Sequence, residues 1–174
     1  MRTFGFSENN MNELRWYAAY TLPRHEKAVA DRLIDQNVES YLPLYSAVRY
    51  WNNRRVEVQL PIFAGYVFVR MLLADRFRIL SRPGIIRFVG SNGTLSTLPD
   101  EEIERLRSSL ALWKAQPYPY LVAGKHVRIT SGPFAGLEGR ILRRKGKMRL
   151  LVTLDIIQSA MLLEVDATET QLAS

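Results

Sequence analysis

One apolar stretch decides the fold of the N-terminal half of the chain: Ile62-Phe63-Ala64-Gly65-Tyr66-Val67-Phe68-Val69. Its composition is typical of a buried strand, which we predict over Ile62–Met71. Successive side chains of a strand point to opposite faces, so Tyr66 and Phe68 share one face and the two valines share the other. Gly65 inside the strand indicates a bulge or a close backbone approach.

The segments around this stretch alternate between strand and helix patterns. Before it we predict a strand, a helix and a hairpin, at Leu14–Thr21, Arg24–Asn37 and Glu39–Leu60. Asn52-Asn53 is the expected hairpin turn, because asparagine tolerates positive φ. After it we predict a short helix at residues 74–81, a strand at 85–89 and a polar loop at 90–98. A last helix is predicted to begin at Pro99. This order indicates an α+β domain with helices on one face of a mainly antiparallel sheet.

The pattern changes in the C-terminal third of the chain. Residues 114–121 contain Pro117 and Pro119 without periodicity, which is typical of a linker. Four short strand patterns follow, at His126–Thr130, Leu137–Arg143, Arg149–Leu154 and Ile157–Glu164, and they indicate a small all-β barrel. We therefore predict a disordered tail at residues 1–13 and an N-terminal domain at residues 14–112. A linker at residues 113–122 is expected to lead into a C-terminal domain at residues 123–174.

The composition restricts the class of protein. The chain has no cysteine, which excludes disulfides, thiolate metal sites and cysteine nucleophiles. No apolar run reaches the ~20 residues that cross a bilayer, and the polar start lacks the apolar core of a secretory signal. We therefore expect a soluble cytoplasmic protein without membrane contact. The formal net charge of +7 indicates either a polyanionic partner or a basic surface that maintains solubility.

The sequence offers no recognisable catalytic constellation. His25 lies in a charged run and His126 in an apolar strand, in different predicted domains. No metal-ligand spacing, phosphate-binding glycine loop or nucleophile elbow accompanies them. The carboxylates of Glu101-Glu102-Glu104 follow Pro99 at a helix start, where they complement the helix dipole. We expect no enzymatic activity, no cofactor and no metal.

Two sets of motifs resemble a known family. The stretch Gly124–Gly139 resembles the KOW motif, in which glycines let the chain reverse and cross closely. Four further stretches match the N-terminal (NGN) domain of the NusG family in order and spacing: Arg15-Trp16-Tyr17, Ile62–Val69, Gly84–Gly90 and Leu98–Glu102. The chain is similar to NusG transcription elongation factors over residues 14–172.

The resemblance implies a ferredoxin-like NGN domain, an antiparallel sheet with helices, followed by a small SH3-like all-β KOW barrel. Such an NGN domain binds the clamp helices of bacterial RNA polymerase and suppresses pausing and termination, here as an expected monomer. The polymerase-binding surface carried over by position is aromatic: Trp16, Phe63, Tyr66, Phe68 and Phe88. The alternative is that these rings fill the core of the domain itself.

Basic residues stand where NusG relatives approach the non-template DNA strand. They are Arg24, His25, Lys27 and Arg82, with Tyr20 placed to stack on an exposed base. At the predicted hairpin tip lie Arg49, Arg54 and Arg55, which either contact DNA or keep a strand edge soluble. For both groups the alternative is an ordinary solvated surface.

The KOW region departs from the housekeeping member of the family. Ile157-Gln158-Ser159 stands where housekeeping NusG has Phe-Gly-Arg, part of its surface for the termination factor Rho and a small-subunit ribosomal protein. This departure resembles the specialised UpxY and RfaH-like antiterminators, which we favour over the housekeeping factor. The residues expected to contact a KOW partner, a ribosomal protein or another factor, are Phe134, Ile156 and Ile157. Helical spacing within Leu150–Leu163 leaves a refolding KOW domain open, although a barrel strand explains it equally well.

Two RNA-binding classes remain as alternatives. Gly65–Val69 overlaps the pattern with which RNA-recognition domains stack bases, but Ala64 stands where that pattern has a basic residue. A ribosomal protein can also carry a KOW motif. The six basic residues within 140–149 fit an RNA contact as well as a solvated loop.

Overall fold

A computed structural model describes residues 12–112, 114–118, 125–129, 135–136, 138–144, 147–165 and 172–173. Most of the predicted N-terminal tail, residues 1–11, lies outside these ranges. The described chain divides into two compact units. The first combines the residues before Pro43 with Gly65–Asp100, and the second combines Pro43–Ala64 with the residues from Glu101 onward.

Strands and helices are mixed along the chain. The first are β1 (Arg15–Thr21), α1 (Glu26–Asp35), β2 (Glu39–Tyr41), β3 (Leu44–Trp51), β4 (Arg54–Pro61) and β5 (Tyr66–Met71). A 3-10 turn at Leu73–Asp75 leads into α2 (Arg76–Leu80), β6 (Ile85–Phe88), β7 (Gly90–Ser91), β8 (Thr94–Leu95), β9 (Thr97–Leu98) and α3 (Asp100–Leu112). The remainder holds β10 (Ala115–Tyr118), β11 (Lys125–Ile129), β12 (Glu138–Arg144), β13 (Lys147–Leu154), a 3-10 turn at Asp155–Ile157, β14 (Ser159–Val165) and β15 (Leu172–Ala173). The predicted α+β class is confirmed.

The sheet of the first unit is built around β1. Its strand order is β2-β5-β1-β6, and β9 also pairs with β1. All of these pairs are antiparallel, with Tyr20 opposite Tyr66 and Tyr41 opposite Phe68. The predicted strand at residues 14–21 is therefore confirmed, and side chains on both of its faces are buried.

One face of this sheet forms the core of the first unit with α1 and α2. The helices contribute Val29, Leu33 and Ile79, which are buried against sheet residues that include Tyr17 and Val69. The four-residue spacing of Val29 and Leu33 puts both on one side of α1. The side chains that alternate with these core residues, such as Tyr20 and Tyr66, lie on the opposite face of the sheet. The candidate site is on that face.

Three boundaries differ from the sequence prediction. The strand predicted over residues 62–71 begins only at Tyr66, because Gly65 adopts φ +85° and turns the chain before it. The loop predicted over residues 90–98 contains the short strands β7, β8 and β9. The predicted linker contains β10, which pairs with β14 at the edge of a sheet. Pro117 fits there because an edge strand has no need of its missing N–H.

The predicted hairpin is confirmed as β3 and β4, which pair along eight residues from Leu44↔Pro61 to Trp51↔Arg54. Asn52 and Asn53 have φ of +47° and +59°, the left-handed conformation that a tight hairpin turn requires. Asparagine reaches this region at low cost, which explains the turn from the sequence alone.

The second unit also contains α3 and an antiparallel sheet in the order β10-β14-β13-β12-β11-β15. Ile103 and Leu106 of α3 are buried, three residues apart on one side of the helix. Leu151 and Leu162 are paired across β13 and β14 and form a buried cluster with Ala160. Among the described residues, none of the helices has the length and apolar character to span a membrane.

Glu102 on α3 is partly desolvated within this unit. Burial raises the pKa of its carboxyl, Arg105 lowers it, and the charge of Asp155 raises it further. A raised pKa in the folded state means that ionised Glu102 destabilises the fold above that pKa. The cost disappears below the ordinary value of 4.5, where the carboxyl is protonated in both states.

We expect Glu102→Gln to raise the melting temperature at pH 7, because it removes a partly buried charge. The gain over the wild type should shrink as the pH falls to about 4. Thermal denaturation followed by circular dichroism across this range measures it, with the exposed Glu101→Gln on the same helix as the control. Equal curves for both variants and the wild type would contradict the assigned pKa shift.

Candidate functional site

Aromatic side chains cluster on the face of the first sheet that α1 and α2 leave uncovered. Tyr20 and Tyr66 face each other across β1 and β5, with ring centroids 5.3 Å apart. Tyr41 of β2 stacks on Phe68 at 6.3 Å with an interplanar angle of 24°. Trp16 has the same parity on β1 as Tyr20 and belongs to the same face. We call these five residues the aromatic face.

Only part of the aromatic face is accessible. Phe68 is 0% exposed and Trp16 is buried, as is the predicted contact residue Phe63, which precedes β5. Tyr66 and Tyr20 are half-buried, so a partner can reach them. The burial of these rings fits the alternative that they fill the core of the domain. Their contact with polymerase stays a prediction.

The structure separates Phe88 from the other predicted contact residues. Phe88 is opposite Ala19 on β6 and therefore points to the core face of the sheet. Its ring lies edge-on to Tyr17 with the centroids 6.4 Å apart. The sequence placed Phe88 in a strand correctly, but it could not show which side of the assembled sheet this position would occupy.

Two loops meet at the end of β1 and bring the predicted DNA-binding residues together. The backbone N–H of Leu22 donates to the carbonyl of Gly84 at 2.8 Å. Arg32 on α1 donates from Nη1 to the carbonyl of Pro83 at 2.9 Å. Gly84 has φ +97°, and a Cβ there would lie 2.8 Å from Val29, so Gly84 packs against α1 without room for a side chain.

These contacts define a basic end of the first sheet, composed of Arg24, His25, Lys27, Arg32, Arg82 and Arg87. Arg24, His25 and Lys27 are exposed, whereas Arg82 is half-buried. The Nε of Arg82 is buried and has no hydrogen-bond partner within the described residues.

Arg87 is a member of the basic end that the sequence analysis did not single out. It pairs with Tyr20 across β1 and β6, and its Cζ lies 5.3 Å from the centre of the Tyr20 ring. A guanidinium over a tyrosine ring is attracted to its π face. The strand pattern of residues 85–89 was visible in the sequence, but its register against β1 was not.

The nearby acid is withdrawn from the surface. Glu26 is buried at the start of α1, and its Oε1 accepts a hydrogen bond from the backbone N–H of Gly65 at 2.8 Å. The carbonyl of Gly65 in turn accepts from the N–H of Thr21 at 2.8 Å. Glu26 therefore holds the start of β5 against β1 and α1, and it leaves the exposed side chains of the basic end positive.

The remaining predicted residues that the structure describes lie in the second unit. Arg54 and Arg55 are exposed at the tip of the β3–β4 hairpin. Ile157 is buried in the 3-10 turn before β14, and Ile156 beside it is half-buried. Phe134 lies outside the described residues. No group of three or more His, Asp or Glu side chains in the described part of the chain could hold a metal ion.

Comparisons with known proteins agree with this architecture. A family described as "Transcription termination factor nusG" matches residues 14–107, more than half of the chain, and "KOW motif" matches residues 123–155. A relative named "Transcription termination/antitermination protein NusG" from Rickettsia bellii is 23% identical, over 95% of this chain and 93% of its own. A protein of the same name from Deinococcus radiodurans is 29% identical, over 81% and 90%.

A solved structure shares the fold. "Domain interaction in Thermotoga maritima NusG" superposes with a TM-score of 0.58 at 21% identity, over 91% of this chain and 97% of that chain. The fold and the matched motifs together define a transcription factor with an NGN and a KOW domain. The chain belongs to the NusG family.

The turn before β14 carries a backbone feature of its own. Gln158 adopts φ +47° and ψ +46°, the left-handed region, at the position where the family resemblance gives glycine. The side chain is exposed, so it gains no burial there. A β-carbon in this region is sterically disfavoured, whereas glycine adopts it freely.

We expect Gln158→Gly to stabilise the protein by about 1 kcal/mol, because relief of the left-handed strain exceeds the entropic cost of glycine. Chemical denaturation measures the change in the free energy of unfolding. Ser159→Gly serves as the control, because it lies in β14, where glycine should destabilise. A loss of stability in Gln158→Gly would contradict the inference that Gln158 is strained by its left-handed conformation.

Proposed function

We propose that the chain is a transcription elongation factor that binds bacterial RNA polymerase through residues 14–112 and a second partner through its KOW domain. The family match over residues 14–107 supports the first part of this function. The observation that carries it is the half-buried Tyr20–Tyr66 pair, set on a sheet face whose other rings are buried behind it.

The Tyr20–Tyr66 pair has the properties of an interface centre. Aromatic rings bury a large area with few rotatable bonds, and such residues dominate binding energies when buried against a partner. The pair is fixed from below, because Gly65 packs against the Tyr20 ring so closely that a Cβ would lie 3.1 Å from Tyr20 Cε2. The partner surface proposed here is the clamp helices of the polymerase, and the consequence is suppression of pausing and termination.

We expect Tyr66→Ala to weaken binding to bacterial core RNA polymerase at least about tenfold, because it removes an accessible ring from the aromatic face. Titration of labelled protein with core enzyme measures the affinity. Phe77→Ala is the matched control, since Phe77 is an aromatic residue of the same unit that is 66% exposed on α2.

Both variants remove a partly or fully exposed ring, so their melting temperatures should stay close to that of the wild type. Substitution of Phe68 is a poorer test, because truncating a fully buried ring costs about 3–5 kcal/mol of stability. If Tyr66→Ala binds like the wild type, the polymerase contact does not centre on the aromatic face. If the wild type does not bind, the proposed function is wrong and an RNA-binding role becomes the better one.

The basic end is proposed to hold the non-template DNA strand of the elongation complex. Its exposed cations have no acidic side chain set against them in the contacts described above, and Arg87 lies over Tyr20 at the edge of the aromatic face. Cations that bind phosphates beside a ring that stacks on a base are the usual arrangement for single-stranded nucleic acid. One surface would then contact both polymerase and DNA.

We expect the double variant Arg24→Gln and Lys27→Gln to bind core polymerase normally but to lose several-fold affinity for elongation complexes with an open non-template strand. The salt dependence of that affinity should fall by roughly 1.4 in logarithmic slope, about 0.7 for each phosphate contact removed. Arg78→Gln with Arg107→Gln is the control of equal charge, because both arginines pair with carboxylates. Equal effects of the two double variants would indicate a general charge effect and not a site.

We propose that the chain, including its KOW domain, acts as an operon-specific antiterminator. Ile157 is buried and Gln158 occupies the left-handed position, where the housekeeping sequence has phenylalanine and glycine. A contact to Rho or to the ribosome through that turn would therefore need other residues. Ile156 is the accessible apolar residue there for the partner that the KOW domain recruits.

A further inference from the structure

The tip of the β3–β4 hairpin exposes two large aromatic side chains. Tyr50 is 77% exposed and Trp51 is 75% exposed. In the described residues, β3 and β4 form a sheet of two strands that pair only with each other, so no neighbouring strand covers them. The turn itself depends on Asn52 and Asn53, and the hairpin geometry does not require a tryptophan beside it.

Strand register assigns the tip residues to two different faces. Trp51 is opposite Arg54, and Arg49 is two residues before Trp51, so these three side chains share one face. We call them the tryptophan face. It carries two positive charges and no acid at the tip.

The other face has a different charge. Tyr50 is opposite Arg55, and the next position of the same parity pairs Val48 with Glu57. This face therefore carries one cation and one anion within two residues of each other. We call it the tyrosine face. The hairpin thus presents two faces, each with an exposed aromatic residue, that differ in net charge.

Protection of a strand edge explains the arginines but not the tryptophan. Charged side chains keep an exposed strand from pairing with other chains. An exposed indole does the opposite, because it leaves a large apolar area in water. The tryptophan face is therefore better explained by a ligand that needs an aromatic plane between two cations.

We infer that the tryptophan face is a binding site for single-stranded nucleic acid, in which a base stacks on Trp51 and Arg49 and Arg54 bind the flanking phosphates. Single strands offer unstacked bases that an aromatic plane can take, whereas the bases of a duplex are already stacked. Arg49 and Trp51 lie about 7 Å apart along one face of the strand, which allows both contacts at once. The site needs neither polymerase nor a transcription bubble, and it therefore goes beyond the function proposed above.

The test measures binding of the full chain to a fluorescent oligodeoxythymidylate of about 12 nucleotides, with a blunt duplex of equal length as the second probe. Fluorescence anisotropy at low salt follows binding. All variants are also made in a background that carries Arg24→Gln and Lys27→Gln, so that DNA bound at the basic end does not obscure the hairpin. Because the substituted side chains are exposed, melting temperatures should stay unchanged.

We expect Trp51→Ala to weaken oligodeoxythymidylate binding about tenfold, and Trp51→Phe to retain most of the affinity because it keeps an aromatic plane. Arg49→Gln with Arg54→Gln should lower the salt slope by roughly 1.4. The matched control on the tyrosine face, Tyr50→Ala, should change the affinity less than about twofold. The single strand should bind more tightly than the duplex.

Three results would overturn the inference. Equal losses from Trp51→Ala and Tyr50→Ala would show that the two faces are not distinguished. Tighter binding of the duplex would show that charge alone acts at the tip. If the background variant binds neither probe, the exposed tip has no affinity for nucleic acid, and a protein partner becomes the explanation for Trp51.

Discussion

The hydrogen bonding of β1 along both of its edges is the constraint on which the first unit depends. β5 pairs along one edge, while β6 and β9 pair along the other. The strand is central in its sheet, and side chains on both of its faces are buried. The carboxylate of Glu26 fixes the point where β5 begins, through the N–H of Gly65. The aromatic face and the basic end are two consequences of this one arrangement.

The sequence predicted the strands and helices of the chain better than it predicted the contacts between them. Alternation and the Asn52-Asn53 pair were enough to locate β1 and the hairpin, because both signals are local. The burial of Phe68 and the opposite orientation of Phe88 depend on which strands pair, and a period of two residues carries no such information. The same holds for β10, whose Pro117 resembles a linker residue until its place at a sheet edge is known.

The candidate site shows the same limit at larger sequence separation. Arg24 and Arg82 are far apart in the chain, and a hydrogen bond from Leu22 to Gly84 joins the two loops that carry them. Family resemblance placed both residues in one site, although composition and spacing could not. The sequence analysis did not identify Arg87, because its place in the basic end depends on its pairing with Tyr20 across two strands. Residues that act through pairing across a sheet are therefore the ones that sequence analysis tends to miss.

The isolation of the β3–β4 hairpin has a consequence for how such proteins diverge. Trp51 and its neighbours contact solvent on both faces of a ribbon whose turn is set by two asparagines. Exchanges of exposed residues usually change stability by less than about 0.5 kcal/mol. Selection can therefore alter the chemistry of the tip almost independently of the sheet around β1. A gene duplicate could acquire a new target at the hairpin tip without first having to regain a stable fold.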